Sequence, residues 1–144
     1  MKIIDQISVF VANTPGRLSD ITGILSDNSI DIRALSIADT ADFGILRLIV
    51  NDPAKAVAAL QAGGLTARIT EVVAARLDDK PGALHGVLSA LTENGISVEY
   101  AYAFITRRND DACVILRVED NEKAIGALEK SGVAMLSADE VYGF

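Results

Sequence analysis

The chain has 144 residues, half of them hydrophobic and only 5% aromatic, with one cysteine and a net charge of −7. That length holds one domain or two small ones, and the apolar half is ample for a packed core. The charge excludes a nucleic-acid surface, which needs a basic stripe, and a lone cysteine excludes an internal disulfide or redox dithiol.

The opening residues, Met1 to Gln6, become polar too early for a secretory signal, and no apolar run reaches membrane-spanning length. The chain is therefore expected to be cytoplasmic, with no membrane partner. Ile7 to Val11 alternates with period two and predicts a strand. Pro15 then stands where a first helical turn tolerates proline, with Asn13 or Thr14 as the expected cap. Leu18, Ile21, Ile24 and Leu25 form one apolar stripe of that helix, which should fail at Asp27-Asn28-Ser29. Ile30 to Ile37 returns to strand character, and a turn over Asp39 to Asp42 leads into a strand from Phe43 to Val50. Asn51-Asp52-Pro53 should cap a second helix with Ala56, Val57 and Leu60 on its stripe, ended by Gly63-Gly64. A last strand starts near Leu65.

The same order then recurs. Asp79-Lys80-Pro81-Gly82-Ala83-Leu84 repeats Asn13-Thr14-Pro15-Gly16-Arg17-Leu18 at an offset of 66, and Glu93 to Val98 answers to Asp27 to Ile32. Leu84, Val87 and Leu91 fall on Leu18, Ile21 and Leu25. The loop from Thr106 to Asp111 is two residues longer than its counterpart, so Leu128 and Gly132 match Leu60 and Gly64 at an offset of 68. This is an internal duplication, with modules over 1–70 and 71–144 and no Pro-, Gly- or Ser-rich linker between them.

Two helices among four strands, with a hairpin in the middle, predict a ferredoxin-like βαββαβ module of the α+β class, its helices on one face of an antiparallel sheet. A half-exposed sheet should alternate cleanly between apolar and polar residues. Phe43 to Val50 and Ile96 to Phe104 do so only in part, which implies a covered helix-free face. Either the copies or two chains pack together, and a homodimer is the expectation.

Each Pro-Gly turn places the free N–H groups of a helix start beside a polar side chain. Such a pocket suits both ends of a small zwitterion, the carboxylate on the amides and the ammonium on Asp79 or the Asn13 amide oxygen. The bland reading is that Asn13 and Asp79 are helix caps, and the two roles are compatible. Arg17 could face a carboxylate or simply be solvated. His85 has no nucleophile or metal-ligand cluster at a recognisable spacing and reads as a surface histidine. Arg47 and Arg117 are expected to pair with carboxylates, and Asp110-Asp111 to form a solvated turn. The chain is thus read as a non-enzyme, with no catalytic residue, metal or cofactor.

The doubled Pro-Gly-x-Leu helix start, the Asn-(Ser/Gly)-Ile-x-(Ile/Val) segment and the βαββαβ order resemble the ACT domain family of amino-acid-sensing regulatory modules. The runs Ile37 to Arg47 and Glu99 to Phe104 resemble the small stand-alone tandem ACT proteins of bacteria, and the resemblance spans about Ile3 to Phe144. It implies modules joined side by side into an eight-stranded sheet, with a free amino acid bound at the interface between them. By position it assigns Asn13, Pro15, Gly16, Arg17 and Leu18 from the first loop, facing Ser36, Ile37, Ala38 and Asp39. From the second copy it assigns Asp79, Pro81, Gly82, Ala83 and Leu84, facing Tyr100, Ala101 and Tyr102. The implied function is a sensor acting on a partner enzyme or regulator. The alternative is a ligand-free dimerisation or adaptor module on the same fold.

Overall fold

The computed structural model describes residues 2–12, 14–39, 43–105 and 111–142. They form β1 (Ile3–Ala12), α1 (Arg17–Asp27), β2 (Ile32–Asp39), β3 (Phe43–Val50), α2 (Pro53–Ala62), β4 (Thr66–Asp78), α3 (Ala83–Glu93), β5 (Val98–Ile105), β6 (Asp111–Val118), α4 (Asn121–Lys130) and a short α5 (Ala138–Tyr142). Two compact units result, one of Asp5–Thr70 and one of Met1–Ile4 with Glu71–Phe144.

In the first unit the strands lie in the order β2-β3-β1-β4. Ile7 stands opposite Leu48 and Val9 opposite Leu46, both pairs antiparallel and all four side chains buried. Because strand side chains alternate, these residues share one face. On it lie Ile21 and Leu25 of α1 and Ala56 and Leu60 of α2, closing one apolar core. Two helices thus cover one face, as a ferredoxin-like α+β module requires. On the other face Gln6 and Ser8 are buried and linked, the Gln6 Nε2 donating to Ser8 Oγ at 3.2 Å and the Ser8 hydroxyl meeting that of Thr70 at 2.9 Å.

The second unit repeats the plan with β4-β6-β5. Val73, Ala75 and Leu77 of β4 and Val114, Leu116 and Val118 of β6 face Val87 and Leu91 of α3 and Ala124 and Leu128 of α4. The fourth strand expected by analogy is only a bridge between Met135 and Ala75, fastened by the Arg76 N–H to Ala134 O and the Leu136 N–H to Ala74 O. Beyond it the chain turns into α5, and Glu140 comes within 3.8 Å of Arg76. Leu136 and Val141 are buried here, so the helix-free face of this unit has its own apolar cover.

The four longer helices end in one way, with the residue after the last turn left-handed and its successor's N–H reaching back to the helix. Gly64, Gly95 and Gly132 hold that position in three, and Ser29, at φ 57°, holds it in α1. Asn28 and Asn94 add a side-chain bond each, from Nδ2 to Ile24 O and to Ala90 O, both at 2.8 Å. The expected cap of α2 is present, with Asp52 accepting from the Lys55 N–H, and Asp120 does the same for α4 with Lys123. Asp111 opens β6 and lies 3.7 Å from Arg76, so it belongs to a strand and not to the expected turn; Asp110 lies outside the described residues.

Candidate functional site

The two Pro-Gly turns are near copies in geometry. In the first, the Thr14 N–H donates to Ala12 O at 2.8 Å, Arg17 to Thr14 O at 3.4 Å and Asp20 to Gly16 O at 2.9 Å. In the second, Lys80 donates to Asp78 O at 2.8 Å, Ala83 to Lys80 O at 3.3 Å and Gly86 to Gly82 O at 3.0 Å. A proline followed by a left-handed residue, closed by a bond from the fourth residue to the first, is a type II turn. Gly16 at φ 83° and Gly82 at φ 88° supply that left-handed residue.

The same glycines are the N-caps of α1 and α3, and neither helix has a side-chain cap bond. This corrects the expectation that Thr14 or Asp79 caps a helix: the turn places glycine, which has no side chain to offer, at the cap. Asn13 lies outside the described residues. Asp79 is exposed at the centre of a three-residue turn. The N–H groups of Leu18 and Ser19 are ones an α-helix leaves without an internal acceptor, and they carry the positive end of its dipole.

Beside the first turn is a groove of about 250 Å³. Leu46 and Gly44 of β3, both buried, form its floor, with Val11 and Ala12 of β1 alongside. Thr14, Arg17 and Leu18 line it from the turn, and Ile37 lines it from β2. Leu18 and Ile37 are 40% and 47% exposed, which is high for large apolar side chains. Leu18 was expected in the core stripe of α1, yet only Ile21 and Leu25 are buried there. Leu84, its counterpart in α3, is 43% exposed in the same way. The Arg17 guanidinium lies 3.8 Å from Asp20 across an exposed first turn, a loose pairing that binds it weakly.

The candidate β2 residues divide between faces. Ile37 stands opposite Leu46 on the helix side, whereas Ser36 and Ala38 stand opposite Arg47 and Ile45 on the other. β2 runs to Asp39. In β5, Ala101 stands opposite Leu116 on the helix side, while Tyr100 and Tyr102 stand opposite Arg117 and Ile115 on the helix-free side. Tyr100 and Tyr102 are therefore not brought to the face on which α3 begins. Pro15 and Pro81 are exposed within their turns. Arg117 is held by Glu99 at 3.3 Å and by Glu71 O at 2.7 Å, as a pairing arginine should be.

The second turn opens elsewhere. A cavity of about 360 Å³ joins Lys80, Ala83 and Gly86 to the Gly132-Val133 segment after α4, and does not include β5. A larger space of about 790 Å³ is rimmed by Glu71, Glu99, Glu119, Asp120 and Glu122 against a single cation, Lys123, a net negative arrangement that repels a ligand carboxylate. His85 is exposed with Ser89 Oγ 3.3 Å from its Nε2. Cys113 is buried, and desolvation pushes its thiol up to about 12 despite the nearby Arg76 charge. Among the described residues no group of three or more His, Cys, Asp or Glu side chains could hold a metal ion, and no helix is long and apolar enough to cross a membrane.

The sequence signal that marks the groove is the pair of first-turn leucines, and its position in the repeat gives no hint that they leave the core. Comparison with known proteins places this geometry. A comparison with curated proteins gives no match. Among solved structures, protein BT0572 from Bacteroides thetaiotaomicron is similar at 39% identity and a TM-score of 0.93, over 99% of this chain and 98% of that one. Two regulatory subunits of aspartate kinase share the fold at 16% identity. The one from Thermus thermophilus has a TM-score of 0.64 over 88% of this chain and 91% of its own. The one from Thermus flavus has 0.59 over 92% and 97%. The family model of the ACT domain pair matches residues 1–140, so this chain belongs to that family.

Proposed function

We propose that this protein is a non-enzymatic regulatory module that binds a free amino acid at an interface of its ACT modules, 1–70 and 71–144, and works as a homodimer. The observation that carries this reading is the groove at the first Pro-Gly turn. It combines helix N–H groups at Leu18 and Ser19 that meet no acceptor among the described residues, the loosely held Arg17 and an apolar floor, a carboxylate site beside a side-chain pocket. Leu18 and Ile37 stand exposed at its rim, on the side where β2 forms the edge of its sheet. A second chain pairing along that edge, extending each sheet toward eight strands, would cover them and close the groove. A ligand held in such a seam favours whichever subunit arrangement completes it, and that preference is what a partner enzyme or regulator would read. Calorimetric titration of the purified protein with each of the twenty amino acids, alongside light scattering for mass, tests the proposal. Heat from at least one amino acid and a dimeric mass are expected; silence from all twenty refutes the sensor.

The exposed Leu35, Ile37 and Phe43 favour one second reading, a ligand-free dimerisation or adaptor module. It predicts a dimer whose mass and stability no amino acid alters.

A further inference from the structure

From the lining of the first-turn groove we infer the chemical class of its ligand and its number: one aliphatic L-amino acid per chain, held by the first module alone. This deepens the proposed function and rests on it.

The walls decide the side chain. Val11, Leu18, Ile37 and Leu46 bring apolar side chains to the cavity, and Ala12 and Gly44 add no side-chain polar atom. Among the described residues its polar side chains, Thr14 and Arg17, are both on the turn, at the end where the α1 amides lie. A ligand whose carboxylate takes those amides and the guanidinium must therefore lay its side chain along hydrocarbon. An acid, amide, ammonium or imidazole there would lose water with no partner in return. Burying a branched aliphatic chain instead removes Leu18 and Ile37 from solvent. The volume of about 250 Å³ lies below the ~300–1,000 Å³ of sites for drug-sized ligands, which fits a single small amino acid.

The duplication supplies the control. At the positions of Arg17, Ile37 and Gly44 the second module carries Ala83, Ala103 and Ala112. It keeps the exposed Leu84 in place of Leu18 but lacks the guanidinium for the carboxylate and the isoleucine half of the rim. Its own cavity near the second turn runs to the segment after α4 and not along β5. The turn is duplicated; the binding surface is not.

The test is calorimetry on the full chain with L-leucine, L-isoleucine and L-valine against L-aspartate, L-lysine, L-histidine and L-serine. The aliphatic set is expected to bind at least tenfold more tightly, at about one per chain. Arg17→Ala should weaken that binding at least tenfold, and Lys80→Ala on the second turn should leave it unchanged. Arg17 is half-buried in an exposed turn with one loose ion pair, so folding is not at risk, and Ile37→Asn, at an exposed position, provides an independent loss. Preference for a polar or charged amino acid, two sites per chain, or loss through Lys80→Ala with Arg17→Ala silent, overturns this inference while leaving the sensor intact. Silence from every amino acid overturns both.

Discussion

Replacing Gly16 by alanine separates a glycine that the turn demands from one that merely happens to be there. At φ 83° an L-residue suffers a contact between Cβ and the following carbonyl, worth about 1–2 kcal/mol. A Cβ at this position meets nothing within 4 Å, so no packing clash adds to that strain. Alanine also restricts the unfolded chain, which returns about 0.4–1 kcal/mol. The net loss is therefore up to about 1.5 kcal/mol, or a fall in Tm of up to roughly 6 °C for a chain of this size. Gly82→Ala should behave alike, with φ 88° and the same open surroundings. Gly23→Ala and Gly126→Ala are the controls, since both lie inside helices with nothing within 4 Å of an added Cβ. They should gain about 0.5–1 kcal/mol by helix propensity. Urea denaturation of the four variants reads all of these values. Should Gly16→Ala stabilise the chain as Gly23→Ala does, the left-handed turn is wrong and the uncapped amides lose their geometric basis. Titrating the variants with ligand adds the functional arm: the methyl at position 16 projects into open space beside the amides and should weaken binding, whereas the adaptor reading predicts no effect.

Three further outcomes follow from individual groups. Ser29→Gly should stabilise by about 0.5–1 kcal/mol and Gly95→Ser destabilise by about as much, because the two hold equivalent left-handed positions at the ends of α1 and α3; denaturant midpoints check the opposite signs. Asp52→Ala and Asp120→Ala should each lose about 1 kcal/mol in the same assay, since each removes the acceptor for one helix-start amide. The Cys113 thiol, raised from 9.0 to about 12 by burial, stays protonated in the folded chain where the unfolded chain ionises. Its contribution is complete below pH 9.0 and is lost as pH rises toward about 12, so stability should fall over that window and Cys113→Ala should flatten the fall. Thiol-reactive probes should label it only upon unfolding.

The architecture was legible because two periodicities were each written twice. Ile7 and Val9 alternate where a strand faces helices, and Ile21 with Leu25 recurs one helical turn on. The caps were only half legible. Asp52 fits the familiar rule because its side chain can reach the Lys55 amide. At the Pro-Gly turns, asparagine or aspartate three residues before the glycine looks like a cap, but the type II geometry moves the cap to glycine itself. The missing fourth strand of the second unit was hidden for another reason. Val133 to Leu136 is apolar enough for a strand, and only the tertiary register shows it closing as a bridge before α5. Leu18 and Leu84 misled most, since helical spacing assigns them to the stripe but not to its depth. A first-turn residue lies over the end of the sheet, where the strands that could bury it run out.

Comparing the two modules position by position separates what folding requires from what a site requires. On the helix side, where both copies are buried, the apolar chemistry is kept: Ile21 and Val87, Leu25 and Leu91, Leu46 and Val114, Leu48 and Leu116, Leu60 and Leu128. A cavity left by shrinking any of these would cost about 0.5–5 kcal/mol, so apolar volume is held within narrow limits. The turn is kept as well, down to hydrogen bonds that differ by about a tenth of an ångström, because proline and glycine fix its backbone. Three of the differences lie at the rim of the groove, where Arg17, Ile37 and Gly44 correspond to Ala83, Ala103 and Ala112. No folding constraint explains a cation and a large exposed isoleucine in one copy and alanine at both positions in the other. Exposure of Ile37 at 47% is a liability for a monomer, tolerable when something covers it. A duplicated scaffold that keeps its helix-side core and turn in both copies, and its guanidinium and rim isoleucine in one, is better suited to a single asymmetric ligand site than to two equal ones.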